Sequence, residues 1–443
     1  MRVSQAGTVG GPVFREAEAG WPSRASEKER RAATRIVKAA LVCGAALSIG
    51  PFTESLVPPE VSALQQVAST LMWATIIAAS SVLPRRAALS TWTDLGLALT
   101  FFAFAIVSSL WSPEILASLA KASVLFVTTF AAYRLAFSLT VDEIVDCLVF
   151  GLTLTCAGSV FLALFVPEIG IVQTGMHEGQ WSGLHASKQS LGAVGALLIF
   201  FGGYRLLTQR RLSLYVLGAL ALASACVIGS GSRGGGSVAV VAIVLLYLVR
   251  RAPRIGILLA FGPFVMTVIA LVLIGHLYAT GDAYFLFFDE RIDLTERTLL
   301  WHHALERFED RAIFGYGLNG FWSVETVLHA FAREHGWVLD NHHSGYVAIL
   351  METGLVGTSL YLSWFLMFGL RIATPSGREH VPAAHLHLVI AYLNLVFFYN
   401  FTETFFLRST NLMAVMLATL FFVSCQGRRR TVLNALNPSD AER

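Results

Sequence analysis

Six side chains in this 443-residue sequence have the types and surroundings that chemistry on a charged substrate would use: Lys188, Arg233, Arg297, Trp301, His343 and Glu403. Arg233 stands in GSGSRGGG (229–236). Glycines and serines let the backbone come close to a ligand and offer N–H groups to an anion. The guanidinium adds a permanently charged fork that matches phosphate oxygens. The plainer alternative is a flexible turn whose arginine snorkels to water. Arg297 precedes Trp301 by one helical turn, so one face can offer a phosphate ligand and an apolar wall for a sugar or prenyl unit, or simply a cation–π contact. Arg291, Arg307 and Arg311 lie in the same segment with the same chemistry. His342 and His343 precede an apolar run; a neutral imidazole can take a proton near physiological pH, and either ring can equally be an interfacial residue beside a helix start at Ser344. Lys188, in EGQWSGLHASKQSLG (178–192), adds positive charge or marks a membrane boundary. Glu403, in NFTETFF (400–406), is an ionisable group near a span end, a position that usually faces a bundle interior. His302, His303, His329 and His335 share the segment around Arg297, but their spacing forms no zinc signature, so no metal site is expected.

These residues must be positioned by a very apolar chain. It is 55% hydrophobic and 14% charged, with mean hydropathy +0.63, against about 25% charged in soluble domains. Apolar runs near the ~20 residues that cross a hydrocarbon core recur along the chain. About twelve spans are expected, at 36–53, 62–84, 94–111, 117–137, 144–166, 189–206, 212–229, 236–250, 255–278, 345–370, 384–401 and 409–425, which gives an all-α polytopic transmembrane bundle. Five cysteines lie in or beside these runs without metal-ligand spacing and read as small core residues. A formal charge of +3 gives no reason to expect nucleic acid.

The distribution of arginine orients the bundle. With the N-terminus in the cytoplasm, the cytoplasmic loops hold Arg85 and Arg86; Arg205, Arg210 and Arg211; Arg250, Arg251 and Arg254; Arg371 and Arg378; and Arg428, Arg429 and Arg430. The opposite short loops hold only the isolated Lys188, Arg233 and Arg408. The expected organisation is a cytoplasmic tail (1–34) with no cleavable signal, nine spans (35–278), an extracytoplasmic loop (279–344), three spans (345–425) and a cytoplasmic tail (426–443). In the loop, Thr295 can cap a helix whose Leu300, Trp301, Ala304, Leu305 and Phe308 recur at helical spacing. FGYGLNG breaks that helix. VETVLHAFAREHG follows and ends at Gly336, a suitable C′ glycine. Amphipathic helices beside a membrane are expected to lie on its surface. All six chemistry-bearing residues fall on one side of the membrane in this topology.

Several of these segments, in order, resemble the O-antigen ligase/polymerase superfamily of Wzy and WaaL type, and most closely ExoQ-like exopolysaccharide polymerases. The resemblance spans about residues 90 to 425. It rests on VSSLWSPEILASLAKA (107–122), HASKQSLG (185–192), GSRGG (231–235), RTLLWHHAL with GYGLNGFW, HSGYVAILMETGLVG (343–357) and NFTET (400–404). Two positions depart from the family pattern: Ser344 and Gln189 stand where Asn is usual.

The resemblance implies a glycosyltransferase of the bacterial cytoplasmic membrane, working on its outer face. Its donor would be a saccharide on undecaprenyl pyrophosphate, and its acceptor a saccharide or lipid-linked glycan. Chain-length regulators and export proteins are possible partners. Arg233 and Arg297 would hold the pyrophosphate and His343 would take the acceptor proton, with Lys188, Trp301 and Glu403 in support. No cofactor or metal is implied. A polymerase is the first expectation, and a ligase that delivers glycan to lipid A core or protein is the second. A transporter or lipid flippase, or a scaffold for export partners, is the competitor from another class.

Overall fold

The computed structural model describes residues 25–48, 52–53, 62–90, 92–175, 177–209, 213–282, 284–287, 290–292, 297–324, 332–333, 341–379, 381–408 and 410–427. Thr295, His329, His335, Gly336, Arg210, Arg211 and Arg428 to Arg430 lie outside the described residues, as do most of VETVLHAFAREHG and of both tails.

Helices occupy all twelve apolar segments. They are α1 (Glu27–Leu47), α2 (Ser62–Ser80), α3 (Thr93–Val107), α4 (Ile115–Ser138), α5 (Val141–Phe165), α6 (Lys188–Thr208), α7 (Leu214–Ser230), α8 (Arg233–Arg251) and α9 (Gly262–Thr280). After the loop helix α10 (Arg297–Leu305) come α11 (Gly345–Ala373), α12 (Ala383–Tyr399) and α13 (Leu412–Ser424). Among the described residues, seven helical stretches are long and apolar enough to cross a membrane: α3 with the 3-10 turn through Trp111, α4, α5, α6, α8, α9 and α11. The helices α7, α12 and α13 are apolar but shorter. The protein is thus an all-α polytopic membrane protein. Strand pairing among the described residues is limited to Ala88–Leu89 with Gln426–Gly427, Phe285–Phe287 with Glu290–Ile292, and single antiparallel bridges at Phe52–His185 and Ile171–Trp181. Large apolar side chains point outward, Leu116 at 83% and Leu214 at 86% exposed, as a bilayer would reward and water would not.

Caps set several helix starts. Ser187, Ser232 and Ser344 each accept a backbone N–H from the first turn of α6, α8 and α11. Capping boxes at Ser26–Glu29 and Thr140–Glu143 open α1 and α5. Up-and-down alternation then gathers the starts of α2, α4, α6, α8, α11 and α13 with the ends of their odd- or even-numbered partners at one end, here the loop end. There the Leu412 N–H donates to Ser48 O at 2.6 Å, and the Trp181 N–H to Gly229 O at 2.9 Å. At the far end, the Arg86 N–H donates to Phe137 O at 2.8 Å. Arg205 there pairs with Asp142 and Asp146 at 2.9 and 2.7 Å.

Four details differ from the sequence expectation. The run 255–278 is split into a short helix, Pro253–Leu259, and α9, because Gly262 and Pro263 begin a new helix. The GSGSRGGG stretch is not an open turn: Gly231 takes the left-handed φ of 55°, Ser232 caps, and Arg233 is already helical. The run 345–370 is one helix broken at Gly354, where φ is 62° and ψ −165°. Loop backbone seals this break: the Tyr316 and Gly317 N–H groups donate to Met351 O and Glu352 O at 2.8 and 2.9 Å, and the Leu355 N–H donates to Ala312 O at 2.9 Å. A side chain on Gly354 would collide with Ile313 backbone as well as strain φ. Finally, α10 does not lie on the bilayer surface. Leu300 and Trp301 are buried at 1% and 3% exposure, and the helix packs against α9 and α11. Its apolar stripe faces protein because two spans flank it closely enough to cover that stripe.

Candidate functional site

The site is built where the turn before α11 meets the turn after α12. Asn400, at the end of α12, accepts the Phe405 N–H through its side-chain oxygen at 2.9 Å and donates to Val396 O at 2.7 Å. This folds NFTET back on the helix. The turn before α11 is tied to it: the Ser344 N–H donates to Thr404 Oγ1 at 3.1 Å, and the Gly345 N–H to Asn400 O and Glu403 O at 2.9 and 3.1 Å. His343 sits in this clamp with φ 46°, a left-handed value costly for a non-glycine residue, and its N–H is held by Asn341 Oδ1 at 2.8 Å. The backbone bends there in a way that aims the ring at Glu403.

Glu403 divides its two oxygens. Oε1 takes the Arg297 guanidinium at 2.9 Å and Oε2 faces His343 Nδ1 at 3.4 Å. The Arg297, Glu403 and His343 side chains are 21%, 17% and 31% exposed, so the triad is shielded yet open on one side. Tyr399 lies close enough to feel the charges of both Glu403 and Arg297. Beside the triad a cleft of about 430 Å³ is lined by Glu403, Tyr399, Asn341, Arg408, Gln189 and Ser190, among others.

The adjacent histidines part company. His342 is fully buried between Phe321 and Trp322, with ring centroids at 5.1 and 5.3 Å. Burial, helped by the positive charge of Arg408, pushes its pKa down to about 3. Its main-chain carbonyl accepts the Trp301 indole N–H at 3.0 Å. Trp301 therefore stands behind the histidine pair and fixes it, and offers no open face to the cleft. His302 and His303 serve locally: His302 faces Glu306 at 3.3 Å, and Arg307 donates to His303 O at 2.9 Å. Among the described residues no three His, Cys, Asp or Glu side chains gather as a metal site.

Lys188 and Arg233 are brought together by glycine. The first turns of α6 and α8 touch backbone to backbone: a Cβ on Gly235 would lie 2.7 Å from Gly192 Cα, and one on Gly192 would lie 2.8 Å from Ser232 Cβ. Lys188 and Arg233 each occupy the first position of these two helices, and their like charges interact. Neither has a hydrogen-bond or carboxylate partner among the described residues. A helix N-terminus already carries about half a positive charge, so a cation there is unfavourable unless an anion binds. Gly234, next to Arg233, sits against the Tyr399 ring, at 3.5 Å from a built Cβ to Cε2. Tyr399 thus stands between the two-cation corner and the Arg297–Glu403–His343 triad.

Sequence reasoning missed Tyr399, which had no motif around it, and the clamp formed by Asn400 and Thr404, although both lie inside NFTET. Arg408 was visible only as a lone loop charge. In the structure it donates to Asn319 Oδ1 at 3.2 Å and lines the cleft.

Comparison with known proteins adds one positive finding. Residues 218–362 match the family model described as O-antigen ligase. The matched segment runs from α7 into α11 and contains Arg233, Arg297, Trp301 and His343, whereas Lys188 and Glu403 lie outside it. No curated protein matches the chain.

Proposed function

We propose, from the match of residues 218–362 to the O-antigen ligase family model, that this membrane enzyme of polysaccharide assembly is a glycosyltransferase that moves a saccharide from undecaprenyl pyrophosphate to an acceptor hydroxyl, and that it works as a polymerase. The observation that carries this reading is the single carboxylate, Glu403, which holds both His343 and Arg297 and lines a cleft with Tyr399, Gln189 and Ser190, next in the chain to Lys188, whose charge interacts with that of Arg233. With its Nδ1–H on Glu403, the neutral His343 ring keeps the Nε2 lone pair for the acceptor hydroxyl. The hydroxyl oxygen bonds to the anomeric carbon and its proton passes to Nε2. The bond from that carbon to the pyrophosphate oxygen breaks, and the electron pair leaves with the pyrophosphate. Arg233, Lys188 and the free N–H groups of Arg297 meet that charge, and Glu403 steadies the imidazolium. Preorganised charge of this kind is often the largest catalytic contribution.

Orientation follows from charge. Arg85, Arg86, Arg205, Arg250 and Arg371 belong to the far end, which the positive-inside rule assigns to the cytoplasm. The loop end then faces outward in the cytoplasmic membrane, where a flipped lipid-linked saccharide waits. A transporter would be expected to use a broken helix to build a site at the bilayer midplane. Here the break in α11 lies beside the end of α3, since a Cβ on Gly317 would meet Ser108 O at 2.5 Å, and loop backbone fills it.

The test is the lipid-linked saccharide pool in cells lacking the protein, complemented with wild type or His343→Ala. A polymerase leaves single repeats on the carrier and no polymer, and only wild type restores polymer. Long polymer accumulating on the carrier would instead mark a ligase. Unchanged pools would reject the glycosyltransferase reading.

A further inference from the structure

The far end of the bundle holds a groove that the site at the loop end does not use. It lies between α6, α7 and α8 and has a volume of about 510 Å³. Ile199, Gly203, Leu220 and Ile243 wall it, and Arg250 and Arg251 stand at its mouth. α6 packs along both α7 and α8, which touch each other little, so the seam between those two stays open. Ile199 stands nine residues before the end of α6 and Ile243 eight before the end of α8, so the groove runs about 12–14 Å along the helices at 1.5 Å per residue. One leaflet's hydrocarbon is about 15 Å deep, half of the ~30 Å core. The groove opens outward, since Ile243 and Tyr247 are each 59% exposed. A second cleft, of about 370 Å³, shares Leu207, Leu246 and Arg250 with it and adds Thr208 at the end of α6 and His387 near the start of α12. Charge singles out this corner. Arg86, Arg205 and Arg371 at the same end each face a carboxylate, on Glu143, Asp142 and Asp94 at 3.3, 2.9 and 2.8 Å. Arg250 and Arg251 face none among the described residues. Arg250 donates to Leu207 O, and Arg251 lies over the Tyr247 ring, 5.9 Å from its centroid. A guanidinium has five N–H donors, so both keep donors for a ligand.

We propose that this groove binds an anionic phospholipid of the far leaflet, with its phosphate on Arg250 and Arg251, an acyl chain in the seam between α7 and α8, and its polar head toward Thr208 and His387. Basic pockets between membrane helices recognise anionic headgroups in this way. An apolar seam alone would take any lipid tail. The two arginines without a carboxylate select the anionic head, because a zwitterionic one brings its own ammonium toward them and loses part of the attraction. The groove lies at the opposite ends of α6 and α8 from Lys188 and Arg233. The bound lipid is therefore a fixed part of the bundle and not a substrate, and its assignment does not depend on the glycosyltransferase reading.

The experiment is native mass spectrometry of the full chain in mild detergent, with phosphatidylglycerol as the anionic probe and phosphatidylcholine carrying the same acyl chains as the zwitterionic one. Wild type is expected to retain phosphatidylglycerol more tightly. An arginine near a membrane surface contributes about 5-fold to anion binding, so Arg250→Gln and Arg251→Gln are each expected to weaken phosphatidylglycerol by about 5-fold and the double variant by about 25-fold, with phosphatidylcholine unchanged. Ser224→Trp fills the groove without changing its charge and is expected to lose both lipids. Arg254→Gln, at an exposed arginine of the same end that lines neither cleft, is expected to change nothing. Unfolding temperatures taken before lipid is added check that each variant is folded, and the arginine variants decide the matter if Ser224→Trp is not. Equal retention of the two lipids by wild type overturns the proposal. So does a loss with Arg254→Gln as large as with Arg251→Gln, which would mark diffuse surface charge instead of a built site.

Discussion

The two ends of the bundle each hold an arginine on a carboxylate, and they treat the pair in opposite ways. At the far end Arg371 and Asp94 are 5% and 1% exposed, joined at 2.8 Å. The guanidinium there also donates to Ser424 O and Oγ at 2.8 and 2.9 Å, and lies over the Trp92 and Phe368 rings. Its valences are filled, and the pair ties α3, α11 and α13 together. At the loop end Arg297 and Glu403 are partly exposed, the carboxylate is shared with His343, and two more cations stand nearby without a carboxylate. A closed pair of this kind serves the fold. An open one, with surplus positive charge and a base on the same carboxylate, is arranged to receive a ligand.

The sharpest way to break this comparison is to remove one member of each pair. Asp94→Ala leaves Arg371 buried without its counter-charge and is expected to cost about 3–5 kcal/mol of stability, read as a lower unfolding temperature, with activity per folded molecule unchanged. Glu403→Gln should do the reverse: little change in unfolding, but transfer slowed by about 10²-fold, the lower range for losing organised acid–base catalysis. If the Glu403 variant unfolds and the Asp94 variant loses only activity, the two ends have been assigned the wrong way round.

A smaller effect separates the two histidines. Unfolded, His342 protonates near its ordinary value of 6.5, whereas folded it stays neutral down to about 3. The unfolded chain therefore binds a proton first, and stability falls as pH drops from about 6.5 toward 3. His342→Phe removes that contribution, so unfolding temperatures followed from about pH 7 to pH 4 should fall less steeply than in wild type. The smallest expected effect is that of Trp301→Phe. It keeps the ring packing and deletes the indole hydrogen bond to His342 O, worth about 1 kcal/mol. Transfer should slow by about 5-fold, measured as kcat at saturating donor, because the turn that aims His343 loosens.

Much of the architecture was legible because the bilayer imposes a simple code. Apolar runs of span length give helices, and serine caps at 187, 232 and 344 fix where three of them start. The chemistry-bearing residues were legible by type and motif, and the structure brings Arg297, His343 and Glu403 into one cluster although Arg297 and Glu403 are 106 positions apart. What the sequence did not reveal depends on contacts between distant segments. Nothing local to HHS tells which ring is caged by Phe321 and Trp322 and which meets Glu403. The periodicity of α10 gives an apolar face but not its cover, so Trp301 was placed toward substrate when it faces protein. The break at Gly354 is a local φ value that only the docked Gly315–Gly317 backbone makes affordable.

The most direct measurement is transfer by the purified chain in lipid nanodiscs, supplied with a synthetic saccharide on undecaprenyl pyrophosphate as the only substrate. The prediction is product formation by wild type, unaffected by a divalent-metal chelator, with His343→Ala slowed by about 10²–10⁴-fold and donor still bound. Equal rates for wild type and His343→Ala, or no product from a folded wild type that binds the donor, would contradict the account.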